Sequence, residues 1–384
     1  MKTVGIRRPS TISQLTVIDK NGNEVADSEM KANLLSQRYQ VPLGHHPSRS
    51  KLRISELKKS RKANEELHPV GEGHLPFTAE EARIARESLS NNKAPGLSRI
   101  SKEDLEMGGD KMDELVAKLA NIISESGKWP DILKKEVVFP LPKVYGTVDA
   151  IVEDQSRPIS LLEHLDKWVE RMIYDRIIKY VNFHECQAGY CLSCDHHTSL
   201  ISDFVMNRND EAYSIAVFTD IAKAFESVPP DELIDVVWRS EVPTAYKWVL
   251  TSFVENRQFR VDIKDVNGNI ASSKWRKRLY GTPQGSVLGP LLWNMFFDPL
   301  LHQLSSQSVS STDQLDTAFA DDLTMLAASL DPSYAESALE NNLTIFDDFL
   351  SVRGMEAASH KLKAMCLDPH KRGYVQQLDL KAKL

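Results

Sequence analysis

The sequence predicts an α+β protein, and three observations carry that reading. The chain has 384 residues, 41% of them hydrophobic and 26% charged, which suits two or three units of roughly 100–200 residues around a sizeable core. Before residue 211, apolar positions recur mainly at helical spacing. From residue 211 onward, short β-type apolar runs carry isolated carboxylates, and strands normally avoid such residues. This composition excludes a mostly disordered or collagenous chain. With 4 Cys in so long a chain, a disulfide scaffold is not expected, and reduced thiols in an intracellular compartment fit better. The stretch Met1–Pro9 is basic with no apolar run behind it, so no secretory signal is read. No apolar run approaches the ~20 residues that cross a bilayer, and a soluble protein without a membrane partner is expected.

The elements follow in chain order. Leu15, Val17 and Ile18 before Asn21-Gly22-Asn23 predict a strand and turn over 13–24. The formal net charge is −7, yet the first 75 residues carry 13 Lys/Arg against 8 Asp/Glu. Overall acidity counts against a nucleic-acid binder without excluding a basic groove. The most basic stretch, Lys51, Arg53, Lys58, Lys59, Arg61 and Lys62, reads as a solvated helix face. The loop Pro69-Val70-Gly71-Glu72-Gly73 places the end of an N-terminal extension near residue 75. Thr78-Ala79-Glu80-Glu81 is a helix start of capping-box type. Met112, Leu115, Val116, Leu119, Ile122 and Ile123 mark a helix that Gly127-Lys128-Trp129-Pro130 ends. Val137–Leu141 reads as a short buried strand delivering Lys143, and a helix is predicted over about 162–180.

The chemistry lies further on. Ile215–Asp220 is an apolar β-type run ending in an acid, and Thr317–Leu326 holds the adjacent acids Asp321 and Asp322 between strand-like flanks. Carboxylates are costly to bury unless paired or bound to metal. The simplest geometry is a hairpin with Asp321 and Asp322 at its tip, beside the end of the first strand. Such a set of hard oxygens suits Mg²⁺, and two ions about 3.5–4 Å apart activate an attacking hydroxyl and stabilise a leaving oxygen. An Asp-Asp pair by itself is commonly just a solvated turn. Gly281-Thr282-Pro283-Gln284-Gly285-Ser286 then leads into an apolar helix running to about Leu304. Glycines at a helix entrance admit a base or phosphate to the backbone, and the helix N-terminus favours anions.

The order Phe-x-Asp-x-x-Lys-Ala-Phe, then Pro-Gln-Gly-Ser-Val-Leu-Gly-Pro-Leu-Leu-x-Asn, then Phe-Ala-Asp-Asp resembles the reverse transcriptase of non-long-terminal-repeat (LINE-type) retrotransposons. Lys93-Ala94-Pro95-Gly96, Pro140-Leu141-Pro142-Lys143, Arg157–Leu162 with Lys167 and Glu170, and Gln187-Ala188-Gly189-Tyr190 fall in the same order. The resemblance covers nearly the whole chain. It implies a right-hand polymerase with a palm of antiparallel sheet and helices, fingers, and the thumb largely absent. The implied division is an N-terminal extension over 1–75, fingers with part of the palm over 76–210, and palm over 211–384. Asp220, Asp321 and Asp322 would be the catalytic residues and ligands of two Mg²⁺ ions, with Mn²⁺ as a substitute. Phe225 would be the aromatic gate under the sugar, and Gln284 and Gly285 would line the nucleotide pocket. Lys143 and Arg157 would hold the triphosphate, and Lys361 would assist proton transfer to pyrophosphate.

The implied partners are an RNA template, a DNA primer and deoxynucleoside triphosphates, with nuclear residence and a partner supplying thumb or endonuclease. Some positions depart from the pattern: Leu97-Ser98-Arg99 follows Gly96, Cys191 follows Tyr190, and Ala358 and Leu362 flank Lys361 where Asn and Thr are usual. None touches the implied metal ligands. Cys186, Cys191, Cys194, His196 and His197 offer zinc-type donors, but their spacing matches no zinc signature, and packed or surface residues are expected. Two function classes stand at this point. One is a template-directed DNA polymerase that copies RNA; the other is a weak or inert derivative acting only as a nucleic-acid or protein-binding module. Lys167, Trp168 and Glu170 read as helix packing and solvation, with an Arg157–Glu170 ion pair as a structural alternative.

Overall fold

The computed structural model describes residues 17–19, 21–42, 45–142, 156–190, 197–207, 211–265, 267–307, 312–367 and 375–378. Lys143, Cys191, Cys194 and His196 lie outside them, as does the side chain of His197.

Of the strand and turn expected over 13–24, residues 13–16 and 20 lie outside the described residues, and the rest carry the bridge Ile18↔Glu24. Its turn is closed by Asp19, whose carboxylate accepts from the Asn21 and Asn23 amides at 2.8 and 2.9 Å. Helices α1 (Ser28–Gln40) and α2 (Pro47–Leu67) follow. The basic run lies on α2 and divides by residue type. Its four lysines are exposed, whereas Arg53 pairs with Glu232 and Arg61 with Glu255. Helix α3 (Ala79–Ser88) begins on the full capping box, with Thr78 and Glu81 satisfying each other's amides. After α4 (Lys102–Glu106), α5 (Gly109–Ser126) ends on Gly127 at φ 62°, a left-handed cap.

The first sheet starts with β1 (Lys135–Pro142) and its antiparallel neighbour β2 (Ser156–Leu161). Helix α6 (His164–Ile177) runs on through a 3₁₀ turn to Tyr180, as the apolar spacing predicts. Then come α7 (His197–Asn207), β3 (Tyr213–Thr219), α8 (Ala224–Ser227), α9 (Pro230–Arg239) and α10 (Thr244–Val254). Strand β4 (Gln258–Lys264) returns to the first sheet and pairs in parallel with β1, with β5 (Ile270–Ser272) and β6 (Arg276–Lys277) antiparallel to it. This sheet is therefore assembled from segments more than a hundred residues apart in the chain. Helix α11 (Leu288–Ser305) is followed by the hairpin β7 (Asp313–Phe319) and β8 (Asp322–Ser329), then α12 (Pro332–Ser351), β9 (Lys363–Leu367) and β10 (Val375–Leu378). These strands make a second, antiparallel sheet in the order β10-β9-β3-β8-β7.

The main core packs α11 and α12 against the second sheet, with α9 on α11 and α10 on α9. Val217, Met325, Phe297, Phe346 and Leu350 are fully buried there, each contributing about 1.5–3 kcal/mol of burial. A smaller core seats Ala32 and Leu35 of α1 on Val138, Phe259 and Val261 of the first sheet, so the N-terminal extension is packed onto the body. The first sheet and helix α6 carry buried charge. Arg278 pairs with Glu136 at 2.5 Å, and Trp129 donates to Asp166 at 2.8 Å. Asp166 is fully enclosed, and that burial drives its carboxyl well above the usual carboxylate range.

Candidate active site

The β3–β8 register pairs Thr219 with Leu323 in antiparallel sense, so the chain leaving β3 at Asp220 runs toward the turn that joins β7 to β8. Asp321 occupies that turn and Asp322 opens β8. Asp220 and the Asp321-Asp322 pair, about a hundred residues apart in sequence, thus share one end of the sheet. Burial raises the Asp321 pKa to about 6, and the negative charges of Asp322, Asp220 and Glu226 add to the effect. Asp220 meets a cation instead: Lys361 Nζ donates to its Oδ2 at 2.5 Å. Lys361 sits in a 3₁₀ turn (Ser359–Lys361) held by the Ala358 amide, which donates to the Asp220 carbonyl at 2.8 Å.

The turn itself is held from the flank. Residues 186–190 lie parallel to β7, with Ala188 N–H donating to Ala318 O at 2.7 Å and Ala318 N–H to Cys186 O at 2.9 Å. Gln187 Oε1 accepts from the amides of Gly189 and Ala320 at 3.0 and 3.2 Å. Ala320, just before Asp321, has φ 59°, a conformation that costs a non-glycine residue energy and persists only when its surroundings enforce it. Gly189 must be glycine here, because a Cβ on it would stand 2.2 Å from the Ala320 nitrogen. Asn294 of α11 closes the arrangement by donating to the Gly189 carbonyl at 2.7 Å. Sequence reasoning quoted Gln187, Gly189 and Asn294 as motif residues without assigning them roles. Their signal was a buried amide side chain in an otherwise apolar helix (Asn294) and a small residue beside a carboxylate turn (Gly189).

Of the nucleotide-pocket candidates, Phe225 lies nearest these acids, next to Tyr190. The Phe225 ring lies 4.9 Å from that of Trp293 and 6.2 Å edge-on from that of Tyr190. Burial raises the Tyr190 pKa, with the charge of Asp321 as a second cause, so ring and acid are neighbours. Gly285, at φ 129°, lets the Pro283–Ser286 turn press on β2; a Cβ there would meet Ser160 O at 2.8 Å. Ser160 N–H donates to Gln284 O at 3.0 Å, while Gln284 Oε1 is enclosed and receives no hydrogen bond among the described residues. Arg157 is exposed on β2, opposite Leu141 of β1. Glu170 has a different role from the one its sequence context suggested. It is fully buried and accepts from Ser286 Oγ, Val287 N and Leu288 N at 2.5, 2.8 and 2.9 Å. It therefore caps α11 from α6, where a negative charge is favoured by the helix dipole; it is neither solvated nor paired with Arg157. Cys186 is a buried free thiol whose pKa burial pushes up to about 11, the opposite of a thiolate ligand.

The donor set is chemically right for a hard divalent cation: carboxylate oxygens in excess of local positive charge, one of them held at a raised pKa by burial and its acidic neighbours. Among the described residues, no three His, Cys, Asp or Glu side chains already converge on one point, and Lys361 holds Asp220.

Residues 141–381 match the reverse transcriptase (RNA-dependent DNA polymerase) family. The chain belongs to that family. It is 28% identical over 334 residues to the RNA-directed DNA polymerase from mobile element jockey of Drosophila melanogaster, covering 84% of this chain and 34% of the relative. It is 29% identical over 278 residues to the probable RNA-directed DNA polymerase from transposon BS of the same fly, covering 70% and 30%. With the type-1 retrotransposable element R2 Pol polyprotein of Nasonia vitripennis it shares 23% over 266 residues, 68% of this chain and 25% of the relative. The chain thus spans between a quarter and a third of these relatives' lengths. Asp220, Asp321, Phe225, Gln284 and Lys361 all fall inside the matched reverse transcriptase region; the N-terminal helices α1 to α5 precede it. No helix among the described residues is long and apolar enough to cross a membrane.

Proposed function

We propose that this chain is the RNA-directed DNA polymerase portion of a non-long-terminal-repeat retrotransposon protein, adding deoxynucleotides to a primer 3′-OH on an RNA template. The observation that carries this reading is the meeting of Asp220 with Asp321 and Asp322 at one end of the second sheet, beside an aromatic floor and a glycine turn. We read the second sheet as the palm and the first sheet with α3 to α6 as the fingers. Asp220, Asp321 and Asp322 would hold Mg²⁺, which when bound would polarise the α-phosphate and acidify the primer hydroxyl.

The chain's own groups account for the rest. The 3′-hydroxyl gives its proton to water as its oxygen attacks the α-phosphorus, the bond to the bridging oxygen of the β-phosphate breaks, and pyrophosphate leaves with the electron pair. Lys361 carries an ammonium beside Asp220, placed to give the leaving pyrophosphate a proton once it is released from that carboxylate. Phe225, backed by Trp293, forms a hard surface under the sugar that a 2′-hydroxyl would strike. Gln284 Oε1, without a hydrogen-bond partner among the described residues, is available to a donor on the nucleotide or template. Arg157, exposed on β2, is available to the triphosphate, and Lys143 is assigned the same task from the motif alone. The test is primer extension on poly(rA)/oligo(dT) with Mg²⁺. The wild-type chain extends the primer, and Asp321→Ala reduces extension by about a thousandfold. Equal extension by both proteins would sink the site assignment. Wild-type inactivity with retained template binding would instead favour the binding-module reading.

A further inference from the structure

We propose that His45 and His46, which lie well before residue 141 where the family match begins, are positioning residues: adjacent in sequence, they brace two different halves of the active site. The inference rests on the polymerase reading of that site.

His46 reaches the half that holds Asp220. Its backbone N–H donates to Gly354 O at 2.6 Å, and its Nε2 lies 3.3 Å from Glu356 Oε2. Gly354 and Glu356 open the loop that ends at Lys361. That loop grips the catalytic strand exit at three points: Ala222 N–H donates to Glu356 O at 3.0 Å, Ala358 N–H to Asp220 O at 2.8 Å, and Lys361 Nζ to Asp220 Oδ2 at 2.5 Å. Gly354 has φ 72°, and a Cβ on it would stand 2.7 Å from His46 O. The backbone contact to His46 therefore demands glycine at 354. The imidazole–Glu356 contact is half-exposed and adds little energy alone; its worth is in fixing direction.

His45 reaches the nucleotide half. Its ring is buried and packs on the Tyr280 ring at a centroid distance of 3.8 Å. Burial, with the neighbouring His46 adding to it, pushes the His45 pKa down to about 4, so the ring packs as a neutral aromatic at neutral pH. Tyr280 leads directly into Gly281 and Thr282, whose amides donate to Val228 O and Phe225 O at 2.7 and 3.2 Å. His45 thus supports the segment that carries Gln284 and fixes the backbone of Phe225. Two neighbouring side chains on a short connector between α1 and α2 consequently serve two functions, one on the reacting groups and one on the bound nucleotide.

The experiment is single-nucleotide insertion by the full chain together with amide hydrogen exchange. His46→Ala should lower kcat about threefold and Gly354→Ala about tenfold, with KM for dNTP unchanged, since a small displacement of reacting groups is costly. His46→Gln, which keeps a donor for Glu356, should restore kcat. His45→Ala should raise KM for dNTP about fivefold with kcat held. In exchange, His46→Ala and Gly354→Ala should speed the Ala222 and Ala358 amides, whereas His45→Ala should speed those of Gly281 and Thr282. Identical losses of kcat and KM in all variants, or exchange unchanged at these amides, would overturn the proposal. If the wild-type chain does not extend primers, the polymerase reading fails while the exchange pattern still judges the brace.

Discussion

Phe225 illustrates how much a residue's surroundings add to its type. An aromatic five positions after a strand-end acid is most often core, yet this ring is only partly buried, with Trp293 behind it and Tyr190 at its edge. That backing makes it rigid, and rigidity is what a steric gate requires. Phe225→Val should therefore raise incorporation of ribonucleotides relative to deoxynucleotides by about tenfold, measured as the ratio of kcat/KM for one rNTP and its dNTP. An unchanged ratio would remove the gate role while leaving the carboxylate assignment intact. Asp220, Asp321 and Asp322 were legible as candidates because acids are out of place in apolar strands. Their different environments were not: Lys361 compensates Asp220, burial raises the Asp321 pKa, and Asp322 is exposed. These differences arise from neighbours contributed by other parts of the chain.

At the scale of elements, several local signals held. The capping box at Thr78, the left-handed stop at Gly127, the apolar helix to Ser305 and the β7–β8 hairpin all stand where residue patterns put them. The supports for those elements were less visible. Glu170 looked like a solvated helix residue, but it supplies the cap that α11 lacks locally, since Val287 makes no capping bond. Replacing it with Ala would strand two buried amides and the Ser286 hydroxyl, at about 1–3 kcal/mol for each unpaired group. Glu170→Ala should accordingly lower unfolding free energy by several kcal/mol in urea titrations, whereas Glu170→Gln, which keeps an acceptor, should cost about 1 kcal/mol. Equal losses in the two variants would mean that the cap contributes nothing specific.

At the scale of the whole molecule, buried charge gives the fold a pH signature. Asp316 of β7 is enclosed, and burial raises its pKa from 3.8 to about 6, offset in part by the Asn342 amide that donates to both its oxygens at 2.9 and 3.1 Å. Asn342 Oδ1 is buried and receives no hydrogen bond among the described residues, so a protonated Asp316 has an acceptor nearby. Because the folded state holds this proton more tightly than the unfolded chain, the contribution to stability is full below about pH 4. It is lost as pH rises toward 6, by on the order of 2–3 kcal/mol. Asp316→Asn keeps the donor to Asn342 at every pH. Urea unfolding across pH 4–7 should show a shallower decline for this variant and higher stability than wild type above pH 6. Parallel curves would show that Asp316 does not titrate in this window.

The sequence by itself determined several of the helices, the β7–β8 hairpin, the order of the motifs, the three acids as candidates and the family they resemble. Each of these depends on a few neighbouring residues, through period, caps and turn chemistry, or on linear order alone. Only the tertiary structure decided that β4 would lie beside β1, that residues 186–190 would run along β7, that Glu170 would cap α11, that His46 would bond to Gly354 and that His45 would pack on Tyr280. These contacts join segments tens to hundreds of residues apart. Their free energy comes from burial and hydrogen bonding across that separation, which no local window of residues encodes.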